Sequence, residues 1–198
     1  MIKRLAMVLA ILAVVLAPSV ARAQSSADLI VADLDTYWSQ QLAERGIAYS
    51  SPRFKVVDSY GQDLCGFLDA YDSIGAYCFT SSTLTLSTQF VDSEDLITIL
   101  PILAHEFGHH IQNLTDTGIS TSLESEQQAD CFGGAFIRYA EEQGWISPAV
   151  AAMAMQVTQV SGDIWWLDPS EPGVHGNGSE RVLSFWAGYN GGLSACGI

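Results

Sequence analysis

Five residues, HEFGH at His105–His109, constrain this chain more than any bulk property does. The two histidines are four apart, so on an α-helix both imidazoles lie on one face, one turn apart, and can grip a single ion. Glu106 follows the first histidine and therefore lies beside that ion without binding it. A metal held by three protein groups keeps a position open for water, and a neighbouring carboxylate can take that water's proton. The pattern thus demands a helix here, and a second element that carries one more ligand to it. The apolar stretch Ile97–Leu103 leads into the motif, as a buried helix would. One zinc ion is the expected cofactor, with His105 and His109 as ligands and Glu106 as the base that accepts a proton and hands it to a leaving amine.

The third ligand does not follow at the spacing HExxHxxGxxH, because Gln112 and Thr115 stand where Gly and His would be needed. Glu126 is the nearest good candidate. It lies four residues before Asp130, which puts both carboxylates on one helical face. Glu126 can then bind the metal while Asp130 accepts the free N–H of a ligand histidine. Glu124 and Asp116 are the competing ligands. His110 points away from His109 by about a quarter-turn and reads as a bystander.

Around this centre the chain reads as α+β. Asp28–Arg45 carries an apolar helical stripe (Leu29, Ile30, Leu34, Tyr37, Trp38, Leu42) stopped by Gly46. Between Arg53 and Thr88, short β-prone runs at Phe54–Val57, Ala76–Phe79 and Thr83–Leu86 predict a small antiparallel sheet, with Thr83–Ser87 a half-buried strand. Ser93, followed by Glu94 and Asp95, suits the cap of the motif helix, and Pro101 must kink that helix or mark its start. Further helices are predicted over Leu123–Gln143, from Ser147-Pro148 onward, and from a Ser179 cap through Tyr189. Trp165 to Gly178 reads as loop. Trp165, Trp166, Met153 and Met155 read as core or groove lining.

The first 23 residues have the order of an export signal: Lys3 and Arg4, then the thirteen apolar residues Leu5–Ala17, then Ala21-Arg22-Ala23. The apolar run falls short of the ~20 residues that span a bilayer, so cleavage before Gln24 is expected rather than an anchor. Residues 24–198 then form one domain, secreted or periplasmic, or membrane-anchored if the signal is not cleaved. It keeps five basic against 22 acidic residues, a formal charge of −17 with histidine neutral. Such a charge excludes nucleic acid as a partner and disfavours anionic lipid. Four cysteines in an exported chain suggest two disulfides, with three possible pairings. Cys65–Cys78 would close a short loop, and Cys131–Cys196 would tie the C-terminal tail to a helix.

The stretches HEFGHHIQNL, ESEQQADC and HGNGSERVLSFWAGYNGG, followed by Ala195-Cys196, resemble the bacterial neutral zinc metallopeptidase family in motif and order. The surroundings of Cys65-Gly66 and Tyr77-Cys78 are similar too, so the likeness covers roughly residues 50–198. The chain departs from the family pattern at Pro101. The resemblance implies a zincin-like fold in which the active-site helix meets a helix bearing the glutamate ligand. It carries the third-ligand role onto Glu126 and the Asp of E-x-x-A-D onto Asp130. It also singles out His175, which is either a catalytic group that steadies the oxyanion or a brace for its loop, with Arg181 pairing an acid.

The function expected is hydrolysis of peptide bonds in a peptide or protein substrate. A zinc scaffold without activity and a zinc amidase acting on cell-wall peptides are the alternatives. A base at Glu106 has no use in the first of these, and structural zinc sites are closed by four protein ligands.

Overall fold

The computed structural model describes residues 25–57, 65, 74–88, 96–115, 121–163, 168 and 174–198. Among these are five helices, α1 (Ser26–Glu44), α2 (Leu96–Leu114), α3 (Ser122–Glu142), α4 (Pro148–Val160) and α5 (Gly178–Ala195), and three strands, β1 (Arg53–Val57), β2 (Gly75–Cys78) and β3 (Thr83–Ser87). The fold is mixed α+β and mostly helical.

Local chemistry sets the helix starts. Ser25 caps α1, accepting from Asp28 N while the Asp28 carboxylate accepts from Ser25 N at 2.9 Å. Thr121 and Glu124 do the same for α3, and Asn177 and Glu180 for α5. Each acid also sits at the positive end of its helix. Ser147 caps α4, with Pro148 in the first turn, where its missing N–H leaves no bond unmade. The cap of α5 is therefore Asn177, not Ser179. The helix also continues past Tyr189 to Ala195, across a non-helical Gly192 at φ 63°. In α1 the buried stripe is Ala27, Ile30, Leu34, Tyr37, Trp38 and Leu42, whereas Leu29 is half exposed. Pro101 lies inside α2, so it does not mark the helix start. The expected cap at Ser93 falls outside the described residues, as do Trp165 and Trp166.

The sheet is mixed rather than antiparallel. Its order is β1-β3-β2, with β1 parallel to β3 and β2 antiparallel to it. Because β3 is central and covered on both faces, all five of its residues are buried, which corrects the half-buried reading. Its alternation is real but internal. Leu84 and Leu86 join the main core, while Thr85 turns its hydroxyl back to Ala76 O at 3.0 Å, on the side where Val57, Ala76 and Cys65 cluster. A small polar group bonded to backbone in this way loses little on burial.

The main core lies between α1, α2 and α3. Trp38 packs edge-on against Phe132, and Tyr37 against Phe136. Helices α3 and α5 approach unusually closely: a Cβ at Gly134 would meet Phe185 O at 2.1 Å, and one at Gly188 would meet Cys131 O at 1.8 Å. The disulfides are Cys65–Cys78 and Cys131–Cys196. The second ties the end of the chain to α3, across 65 residues of sequence. No helix among the described residues is long and apolar enough to cross a membrane.

Candidate metal centre

Helix α2 presents His105 and His109 on one face, with their rings 4.8 Å apart between centroids. Both are buried. Glu126, in the second turn of α3, faces them: Oε2 is 3.0 Å from His105 Nε2, and Oε1 is 3.3 Å from His109 Nε2. One ligand atom from each of the three residues lies within 4.8 Å of the others. Of the other two candidates, Glu124 is held in the helix cap by Thr121 N, and Asp116 lies outside the described residues.

A glycine inside the motif makes this approach possible. A Cβ on Gly108 would sit 2.8 Å from Ala129 Cα and 2.9 Å from Ala129 O, contacts that no real side chain makes. We therefore expect Gly108→Ala to force α2 and α3 apart, withdrawing Glu126 from the histidines. Thermal unfolding should register a loss of about 1–3 kcal/mol, as for other overpacked sites. A chelator competition should find weaker zinc uptake, and a variant equal to the parent in both would contradict this role for Gly108.

The other ring nitrogens are already engaged. His105 Nδ1 donates to Asp130 Oδ1 at 2.8 Å, and His109 Nδ1 donates to Gln112 Oε1 at 2.9 Å. Both Nε2 atoms are thereby directed at the Glu126 carboxylate. Asp130 is buried and is gripped by Arg181 of α5, whose Nε and Nη2 reach its two oxygens at 2.8 Å each, while Nη1 donates to Ser161 O at 2.9 Å. Arg181 Nη2 also lies 3.2 Å from His105 Nδ1; these are two donors sharing the Asp130 oxygen.

This donor set fits zinc: two imidazole nitrogens and one carboxylate oxygen, converging from two rigid helices. Glu126 Oε2 is buried and accepts no hydrogen bond among the described residues. His105 Nε2 lies 3.0 Å from it. Lone pairs brought together in this way call for a cation among them.

In the metal-free chain, protons take that part. Burial opposes charge on His105, but the Asp130 charge and hydrogen bond, helped by Glu126, outweigh it and push its pKa up to about 10. Burial likewise opposes charge on His109, and Glu126 raises its pKa in spite of it. Burial would raise the Glu126 pKa, yet the two histidines hold it well below the usual carboxylate range. Zinc needs the imidazoles neutral. Since these surroundings favour the charged form of His105, uptake near neutral pH must expel protons, and affinity must climb as pH rises through neutrality. Calorimetry in two buffers of different ionisation enthalpy should find about one proton or more released per zinc at pH ~7. An affinity flat across this range would contradict the assignment.

Glu106 is partly buried, its side chain makes no hydrogen bond or ion pair with the described residues, and it lines a groove of about 440 Å³ together with His105, His175 and Arg181. Ile74, Pro101, Ile102, Val157 and Val160 form the groove's apolar walls. His175 is half exposed at the groove. Asp163 holds its backbone, accepting from the His175 and Gly176 N–H groups at 2.8 and 2.9 Å, and lies 3.7 Å from the ring Nδ1. His110 is not at the cluster. It is fully buried, bonded to Tyr77 Oη at 3.0 Å and to Ser50 O at 2.8 Å, and so braces α2 against β2 and the loop after α1. Sequence reasoning missed the role of Gln112, although its place three residues beyond His109 on the same helix face was a usable signal. Arg181 pairs an acid, as expected, but that the acid is Asp130, 51 residues away, left no local sign.

The sequence profile of the family described as "Putative neutral zinc metallopeptidase" matches residues 15–127, more than half of the chain. The chain belongs to this family. The matched span takes in His105, Glu106, His109 and Glu126 and stops short of Asp130. Among curated relatives, "Uncharacterized protein YpfJ" of Escherichia coli K12 is 25% identical over 209 residues, covering 89% of this chain and 71% of that protein. "Uncharacterized protein Rv2575" of Mycobacterium tuberculosis H37Rv is 27% identical over 143 residues, 59% of this chain and 49% of that protein. No solved structure matches the chain.

Proposed function

We propose that the chain is an exported zinc-dependent peptidase that hydrolyses peptide bonds with Glu106 as general base. The observation that carries this reading is the count and placement of donors. Among the described residues, three protein groups converge on one point, and an unpaired carboxylate stands beside them in an open groove. A purely structural zinc site would have four protein donors and no need of a free base.

Bound zinc supplies Lewis acidity, lowering the pKa of water to roughly 7 and polarising a carbonyl oxygen. The chain's own residues do the rest. His105, His109 and Glu126 hold the ion, with Asp130 and Gln112 fixing the rings. Glu106 accepts the proton of the water that forms the new C–O bond, then returns it to the amine as the C–N bond breaks. His175, whose backbone Asp163 holds at the groove, donates to the developing oxyanion in this reading. Helix α5 contributes Arg181, whose donors are taken up by Asp130 and Ser161, so it supports the ligands rather than the substrate.

Ile74 and the first residue of β2, Gly75, border the groove, and β2 is an outer strand of the sheet. An extended peptide laid along it would pass His105 and Glu106, the mode by which sheet edges receive peptides. Export is supported by the N-terminal pattern and by the two disulfides, which persist in oxidising compartments.

The test is digestion of a mixed, unstructured peptide pool, read by mass spectrometry, with protein as loaded with zinc, stripped by a chelator, and reloaded. Cuts that vanish on stripping and return on reloading are expected. No cuts by protein with zinc confirmed would overturn the peptidase reading. Release of fragments from cell-wall peptide alone would reassign the chemistry to an amidase.

A further inference from the structure

Two ligand histidines need two orienting partners, and the structure gives them different kinds. His105 has a buried carboxylate, Asp130, backed by a guanidinium. His109 has Gln112, a neutral amide from its own helix, one turn further on. Gln112 Oε1 is 2.9 Å from His109 Nδ1 and also accepts from Ser125 Oγ at 2.9 Å. Its Nε2 donates to Ser125 O at 2.7 Å and to Gln128 Oε1 at 3.2 Å.

The orientation of this amide is decided by chemistry. A backbone carbonyl can only accept, so the Gln112 nitrogen must face Ser125 O, and its oxygen must face the imidazole. An oxygen there needs a donor, which makes His109 Nδ1 an N–H, so Nε2 is the nitrogen that offers a lone pair to an ion once its own proton is lost. The next amide is fixed in the same way. Gln128 Nε2 donates to Cys196 O at 2.9 Å, so its Oε1 is the atom turned to Gln112. Cys196 is in turn fastened to α3 by its disulfide with Cys131. Carbonyls at Ser125 and Cys196 therefore pin both amides, and neither can flip without setting like groups against each other.

We infer that Gln112 is a positioning residue for the metal site: clamped by Ser125 and Gln128, its amide oxygen fixes the tautomer and ring orientation of His109 and so presents Nε2 to the ion. This rests on the zinc reading above, and adds to it a residue whose effect on the metal is indirect, through His109. It also explains why α3 must be in place for α2 to bind: α3 brings Glu126 and, in the same turns, the two groups that hold Gln112.

The test compares the full chain with Gln112→Leu and Gln112→Glu, measuring zinc affinity by chelator competition and the His109 imidazole by nitrogen-15 NMR of the zinc-loaded protein. Gln112→Leu should bind zinc roughly 10- to 100-fold more weakly, the usual effect of removing such a partner. It should also lose the slowly exchanging Nδ1 proton of His109. Gln112→Glu keeps an acceptor for Nδ1 but turns a second oxygen on Ser125 O, so it should retain that proton and recover only part of the affinity. A folded Gln112→Leu chain with the parent's affinity and the parent's Nδ1 proton would overturn the inference. If Gln112→Leu does not fold, the parent spectrum decides: zinc on Nδ1 of His109, with the proton on Nε2, overturns it equally. A parent chain that takes up no zinc is a different result, and removes the metallopeptidase reading along with this one.

Discussion

Replacing Glu106 by Gln should leave zinc uptake unchanged and lower peptide cleavage by about two to four orders of magnitude, the range over which a positioned general base acts. The substitution keeps the size of the side chain and most of its polarity, and removes only the ability to hold a proton. Glu106 is not among the three converging donors, so the metal has no reason to leave with it. The charge does act on its neighbours, since Glu106 favours the charged forms of His109 and Arg181. Losing it should therefore ease proton loss from His109 and leave zinc affinity equal or slightly higher. Single-turnover cleavage at saturating zinc, beside a metal assay on the same sample, separates the two effects. Persistent cleavage by Glu106→Gln would refute its role as base, and loss of zinc would place it among the ligands.

The second large effect is expected at Asp130. Its carboxylate is buried, accepts from His105 Nδ1, and takes both of the close contacts that Arg181 makes to it. Burial alone would raise its pKa, but His105 and Arg181 together hold it below the ordinary carboxylate value. Asp130→Ala removes the counter-charge and leaves a guanidinium inside the protein with one carbonyl partner, Ser161 O. Breaking a buried pair from one side costs about 3–5 kcal/mol. Zinc affinity should fall as well, by roughly 10- to 100-fold, because His105 loses the group that sets its ring. Asp130→Asn, which keeps an acceptor for one of the donors, should fall between the two. Thermal unfolding with and without zinc measures both consequences, and an Asp130→Ala chain as stable and as tight as the parent would show that the network is idle.

How much of this could be read from the chain follows from the range of the interactions. HEFGH and the four-residue step from Glu126 to Asp130 are local patterns on helices, and helical geometry converts spacing into direction without outside help. Capping is equally local, so Ser147 could be placed from sequence. At α5, however, Ser179 was the natural reading, and Asn177 takes the cap because Glu180 lies three residues after it. Strand pairing is not local. The runs at Phe54, Ala76 and Thr83 gave the three strands, but nothing in their composition says that the first and third run parallel, with the second outside them. Thr83-Leu84-Thr85-Leu86 looked half-solvated because alternation usually means one wet face; here the polar face is covered too. The partner of Arg181 and the role of Gln112 were hidden for opposite reasons. Arg181 reaches Asp130 only through the packing of α5 on α3, whereas Gln112 sits within the motif's own helix but has an ordinary, uncharged side chain. Gly108 was visible as a letter of HEFGH, and its reason, the backbone of Ala129 against it, belongs to the packed structure alone.

The central claim is an open three-ligand zinc site, and X-ray absorption at the zinc edge of the metal-loaded full chain tests it most directly. One ion per chain is predicted, bound by two imidazole nitrogens at roughly 2.0–2.1 Å, one carboxylate oxygen and one exchangeable oxygen from water, with no sulfur. Losing the ion in His109→Ala should accompany that result. A shell closed by four protein ligands, or a chain that holds no zinc at neutral pH, would contradict it.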